Sequence, residues 1–134
     1  MLFFRKYTAF SIQFAAMKKE SLKEKIIKLS DEIAQQVYPL TYKFPREEKF
    51  ALGDQLRRSI ISVPANIIEG AARAGDKELK QFLNIAYSSL KEAKYLLYFA
   101  LKQGFIKEKD YLAIKPKTEE LSKLLYVFLE KLKS

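Results

Sequence analysis

The chain has 134 residues, a net charge of +9 and neither cysteine nor histidine. One core is all that length supports, and the missing residue types exclude thiol nucleophiles, disulfides, thiolate or imidazole zinc sites and the usual general base near neutral pH. Apolar residues at 49% and charged residues at 31% describe a globular domain, and no apolar run approaches the roughly 18 residues of a membrane span, so a cytoplasmic protein without a membrane partner is expected.

Residues 1–16, MLFFRKYTAFSIQFAA, differ in pattern from the remainder of the chain. Arg5 and Lys6 come after the first apolar residues and Gln13 breaks the second group, the reverse of a secretory signal. Met17 reads as a natural helix start, so this stretch is expected to be either a dispensable extension or an artefact of start-site choice ahead of a four-helix domain over 17–134. From Ser21 the residues Leu22, Ile26, Leu29, Ile33, Val37 and Leu40 step by threes and fours along one helix face. Phe44-Pro45 ends that helix, and Pro45 suits the first turn of a second, with Glu47 and Glu48 near its positive dipole end. Leu56, Ile60, Val63 and Ile67 form the second helix's inner stripe; Pro64 is expected to kink it and Gly70 to lie near its end.

Gly75-Asp76 predicts a break and an N-cap, and a third helix runs from about Lys77 to Gln103 with Gly104 beyond its end. Leu79, Leu83, Ala86, Leu90, Leu97 and Leu101 line one side. A fourth helical region covers about 108–133, with Leu121, Leu124, Leu125, Phe128 and Leu132 inward and an interruption expected at Pro116. Four helices with short connections predict an all-α, antiparallel up-and-down bundle. Ile61 and Ile68 lie about 100° around the second helix from its inner stripe, and Ile85, Leu96 and Phe99 point away from the Leu83, Leu90 and Leu97 face. Scattered exposure is one account of them; an interface between copies through Ile61, Ile68, Leu96 and Phe99 is the other.

On the second helix Arg58, Ser62, Asn66, Glu69 and Arg73 fall within about 80° of arc, one polar stripe. One reading is structural, with Glu69 paired to Arg73, Asp54 paired to Arg58, and Asn66 satisfying loop amides. The other uses Arg57, Arg58 and Arg73 as phosphate forks, because guanidinium planes match phosphate oxygens bidentately. Tyr87, Tyr95 and Tyr98 sit among Lys91 and Lys94, suitable company for phosphates and unpaired bases, although packing is the commoner use of tyrosine. The excess charge is spread along the chain with no basic tail, so charge alone leaves nucleic-acid contact open. Carboxylate catalysis would need Glu69 and Glu92 to meet across two helices around Mg²⁺. No glycine arrangement cradles a nucleotide phosphate, and no cofactor is expected.

The stretch from Phe44 to Leu97 resembles the signature of the four-helix-bundle family of 23S rRNA-intervening-sequence, or S23, proteins, a group that also includes the accessory variability determinant of diversity-generating retroelements. The matching pieces are Phe44-Pro45, Gln55-Leu56-Arg57-Arg58, Ser62 to Ile67 with Glu69-Gly70, Arg73, and Ser89-Leu90 with Glu92. The chain departs from the pattern at Ser88, where the family tends to have glycine, and at Pro116. The resemblance implies a bundle that assembles as a five-subunit ring without established catalytic activity. It makes RNA or DNA the leading partner and a protein such as a reverse transcriptase the alternative. Asn66, Glu69, Gly70 and Glu92 carry over as signature positions with no assigned chemistry.

Overall fold

The computed structural model describes residues 16–132; the expected extension lies, but for Ala16, outside the described residues. Among them the elements are α1 (Lys19–Thr41), α2 (Arg46–Lys49), α3 (Leu52–Ala71), α4 (Asp76–Lys102) and α5 (Glu108–Lys131), with no strand. The four long helices form the bundle: each packs on the next in chain order, and α5 closes on α1. Short connections make neighbours antiparallel. Phe44 of the α1–α2 turn meets Phe105 of the α4–α5 turn at 5.9 Å between ring centroids, closing one end, while the Lys19 ammonium reaches Asp76 at 2.9 Å at the other.

The apolar stripes supply the core. Leu22, Ile26, Ile33 and Val37 of α1, Leu56, Ile60, Val63 and Ile67 of α3, Leu83 and Leu90 of α4, and Leu121, Leu125 and Phe128 of α5 are all buried. The tightest pair is α3 with α4, where small residues let the backbones approach: Ser59 on one side, Ala86 and Ala93 on the other. Gly70 belongs to the same seam. A Cβ there would stand 2.7 Å from the Phe82 Cβ and 3.2 Å from the Leu79 Cδ1, so its role is close approach inside the last turn of α3. Gly104 at φ +79° takes the left-handed turn that leads away from α4.

Three boundaries differ from those expected. The helix predicted to start at Pro45 is split: Pro45 precedes the single turn of α2, and the chain breaks at Phe50 and Ala51 before α3 begins. α1 stops at Thr41, with the Tyr42, Lys43 and Phe44 amides donating to the Pro39, Leu40 and Thr41 carbonyls. Pro116 does not interrupt α5, which runs unbroken from Glu108 to Lys131. Proline removes the helical partner of the Leu112 carbonyl one turn earlier, and both residues lie on an exposed face of the helix.

Leu96 departs from its expected place at an interface between copies. It is buried, at 6% exposure, because α4 packs on α3 as well as on the core and so buries a wider arc than one leucine stripe.

Candidate nucleic-acid interface

The polar residues of α3 do not form one surface. Arg57 is 6% exposed. Its Nη1 donates to the Thr41 Oγ1 at 2.6 Å and its Nη2 to the Lys49 carbonyl at 2.7 Å and to the Asp54 carboxylate, and its guanidinium lies over the Tyr42 ring. Buried and held by these three acceptors, the fork is not presented to a phosphate, so Arg57 is withdrawn as a nucleic-acid contact. The break after Lys49 explains the difference, since it frees the carbonyl that Arg57 caps. Asp54 pairs with Arg57 rather than with Arg58.

Arg58 remains exposed. It borders an open cleft of about 520 Å³ between α3 and α4, with Gln55, Ser62, Ser89 and Glu92 on its walls. The seam is stitched by side chains: the Asn66 Nδ2 donates to the Ser62 carbonyl at 2.8 Å and to its Oγ at 2.9 Å, and the Ser62 and Ser89 hydroxyls are 2.9 Å apart. Gln55 donates to Glu92 at 3.3 Å. Asn66 therefore works as a donor into its own helix and, through Ser62, into α4; it does not cap loop amides. Six of the family positions, Gln55, Ser62, Asn66, Gly70, Ser89 and Glu92, belong to this one seam.

Glu69 and Arg73 pair as expected, at 2.5 Å, although Arg73 lies past the end of α3. The Arg73 guanidinium also stands 5.2 Å from the Phe82 ring centroid. Glu92 is level with Gln55, fourteen residues or about 21 Å along α3 from Glu69, so the two carboxylates do not meet. Among the described residues no group of three acidic residues could hold a metal ion, and no helix is long and apolar enough to cross a membrane.

Lys91 and Lys94 lie on the opposite flank of α4, toward α5. The Lys94 Nζ approaches the Ser122 Oγ of α5 at 3.5 Å, and the Lys91 Nζ sits 4.9 Å from the Tyr87 ring centroid. They are part of a longer pattern. Lys77, Lys80, Asn84, Tyr87, Lys91, Lys94, Tyr98 and Lys102 step by threes and fours, within about 100° of arc on one helix and over a length of about 37 Å. This stripe holds no carboxylate. Glu78 and Glu92 fall on the α3 side of the helix, and Asp76, at its start, is tied to Lys19. The Lys102 Nζ stands 5.6 Å from the Tyr98 ring centroid, repeating the Lys91 and Tyr87 arrangement.

Lys77, Lys80 and Lys102 were not among the residues picked out by sequence. The same three-and-four spacing that marks the apolar stripes marks this one, and it becomes visible when lysines and tyrosines are counted as a class of their own. On α5, burial and then the charges of Glu130 and Tyr87 raise the Tyr126 phenol above the ordinary tyrosine value.

Two apolar patches complete the surface. Ile61 and Ile68, the latter 53% exposed, stand on the α1 side of α3; Ile85 and Phe99 stand on the α3 side of α4. The polar cleft separates them, so they are different flanks of the molecule.

The chain matches, over residues 6–127, the model of a family described as 23S rRNA-intervening sequence protein. It is also similar to a solved structure from Bacteroides thetaiotaomicron, a protein of unknown function from the S23 ribosomal protein family. The two share 26% identity at a TM-score of 0.75, over 82% of this chain and 99% of that one. No curated protein matches the chain.

Proposed function

The chain belongs to the 23S rRNA-intervening sequence protein family, and from that premise we propose that it is a non-enzymatic, cytoplasmic oligomer that binds RNA or DNA with little sequence preference. The observation that carries this reading is the lysine and tyrosine stripe on α4. Five lysines along about 37 Å of one helix flank, with no carboxylate among them, make a row of cations suited to successive phosphates. Lysine is a point charge on a flexible stem and reads no base edge, which favours binding without sequence preference. Lys91 and Lys94 are primary contacts; Arg58 and Arg73, on the α3 side of the bundle, are secondary ones.

Oligomerisation multiplies the effect. Ile61 and Ile68 on one flank and Ile85 and Phe99 on another support a head-to-tail contact, in which one subunit's first patch meets the next subunit's second. Such heterologous contacts close into rings when the rotation allows, and a five-membered ring is the form the resemblance suggests. A +9 charge repeated around a ring becomes a multivalent surface, so one long strand gains avidity even where a single subunit binds weakly.

The test is a salt series. Binding of a mixed-sequence oligonucleotide by the wild-type protein is expected to weaken linearly in log affinity against log salt, and Lys91→Gln with Lys94→Gln and Lys102→Gln is expected to flatten the slope by about 0.7–0.9 for each phosphate that is no longer neutralised. Failure of the wild-type protein to bind single- or double-stranded nucleic acid at about 50 mM salt overturns the reading in favour of a scaffold that recruits a protein partner such as a polymerase.

A further inference from the structure

We infer that the strand held along α4 is unpaired, its bases stacking on the tyrosines that interrupt the lysine row. This inference rests on the nucleic-acid reading above and adds the class of ligand to it. The rings are placed for such contacts. Tyr95 is 59% exposed, Tyr98 is also exposed, and their centroids are 6.5 Å apart with planes tilted by 39°. The Phe99 and Tyr95 ring centroids are 6.2 Å apart with planes tilted by 47°. Along the helix the order is Tyr87, Lys91, Lys94, Tyr95, Tyr98, Lys102, so every ring has a lysine within four residues, about 6 Å along the helix axis.

The lysines and the rings are coupled. Lys91 rests over Tyr87 and Lys102 over Tyr98. An ammonium that swings out to a phosphate uncovers the ring face beneath it, and the base attached to that phosphate is the group near enough to take its place. A duplex offers no such partner, because its base faces are already stacked on one another and only base edges and backbone face outward. Exposed aromatic faces beside cations are the arrangement by which single strands are bound without sequence preference, each base contributing through its π-face. RNA and DNA strands share phosphates and base faces, so both are expected to bind alike.

The experiment measures fluorescence anisotropy of a labelled mixed-sequence strand, as RNA and as DNA, alone and annealed to its complement. The wild-type protein is expected to bind the single strand at least tenfold more tightly than the duplex at equal salt. Tyr95→Leu with Tyr98→Leu is expected to weaken single-strand binding at least tenfold, with the salt slope unchanged and duplex binding untouched; Tyr95→Phe with Tyr98→Phe, which keeps both rings, is expected to restore it. The chain has no tryptophan, so Tyr98→Trp supplies one emitting indole that a stacked base is expected to quench. Equal affinity for strand and duplex, or equal weakening of both by the leucine pair, overturns the inference while leaving the lysine row intact. Loss of the salt dependence itself overturns the underlying reading instead.

Discussion

The Arg57 guanidinium carbon lies 4.4 Å from the centroid of the Tyr42 ring, so a buried cation on α3 is held against the residue that follows the last turn of α1. Thr41 is the other half of this joint. Its hydroxyl donates to the Tyr38 carbonyl at 2.7 Å and accepts from Arg57 at 2.6 Å, which ties the last turn of α1 to the second turn of α3. The short α2 and the break after it are fixed by the same guanidinium, through the Lys49 carbonyl.

Arg57→Ala is therefore expected to lower stability without altering nucleic-acid affinity per folded molecule. It leaves the Lys49 carbonyl and one bond of the Thr41 hydroxyl without a partner, at about 1–3 kcal/mol for each buried group left unsatisfied. Urea denaturation followed by circular dichroism measures the loss. An unchanged midpoint together with abolished binding would return Arg57 to the interface.

Gly70→Ala is expected to destabilise, against the helix preference for alanine. Propensity favours the change by about 0.5–1 kcal/mol, but the new methyl meets the Phe82 Cβ at 2.7 Å, and overpacking of a close helix contact costs about 1–3 kcal/mol. The clash is with α4 near the root of a side chain, which cannot move without its backbone. A raised melting temperature would show that the two helices separate there at little cost.

Asn66→Ala is expected to cost about 1 kcal/mol, the usual net contribution of the hydrogen bonds it removes, because the residue is half-buried and the Ser62 to Ser89 bridge survives. Asn66→Asp keeps the shape and reverses the polarity. Its carboxylate would face the Ser62 carbonyl at the position where Asn66 donates at 2.8 Å, so it is expected to be the worse of the two at neutral pH. Thermal melts of both variants decide the order.

Stability is expected to be flat between about pH 6 and 9, where no side chain in the composition has its ordinary pKa, and to fall above about pH 10. The hydrogen bond to Tyr42, then the Tyr42 charge, raises the Tyr38 phenol above its ordinary value, and burial raises Tyr126. A pKa raised in the folded state means the folded chain holds those protons more tightly, so their contribution is complete below the unfolded value and is lost as pH climbs through the folded one. Melts across that range check the direction.

The bundle was legible because its core residues recur at helical spacing over whole helices, from Leu22 to Val37 and from Leu121 to Phe128. The departures are places where a second neighbour or a backbone break decides. Leu96 is about 100° from Leu97 on the wheel, outside a stripe drawn for one face, yet α3 covers it. Arg57 has the composition of a surface residue, and nothing in its local spacing announces that the break at Phe50 and Ala51 will present it with the Lys49 carbonyl. The α4 lysines were legible in principle, since Lys77, Lys80, Lys91, Lys94 and Lys102 share the spacing of the leucines beside them.

Self-association is expected from the two exposed apolar patches, and a comparison of three aspartate variants separates it from folding. Ile68 and Phe99 are exposed in the single chain, so Ile68→Asp and Phe99→Asp are expected to leave each bundle helical while placing an unpaired charge in the contact between copies, where desolvating it costs several kcal/mol. Leu96→Asp buries the same charge within the chain itself, where Leu96 is 6% exposed, and is expected to lower stability before it affects assembly. Light scattering at tens of micromolar reads the assembly, and circular dichroism reads the fold. The expected pattern is a wild-type oligomer, two helical variants of monomer mass, and a destabilised Leu96 variant. A wild-type protein that scatters as a monomer removes the interface, and with it the avidity that a ring of +9 subunits would lend to nucleic-acid binding.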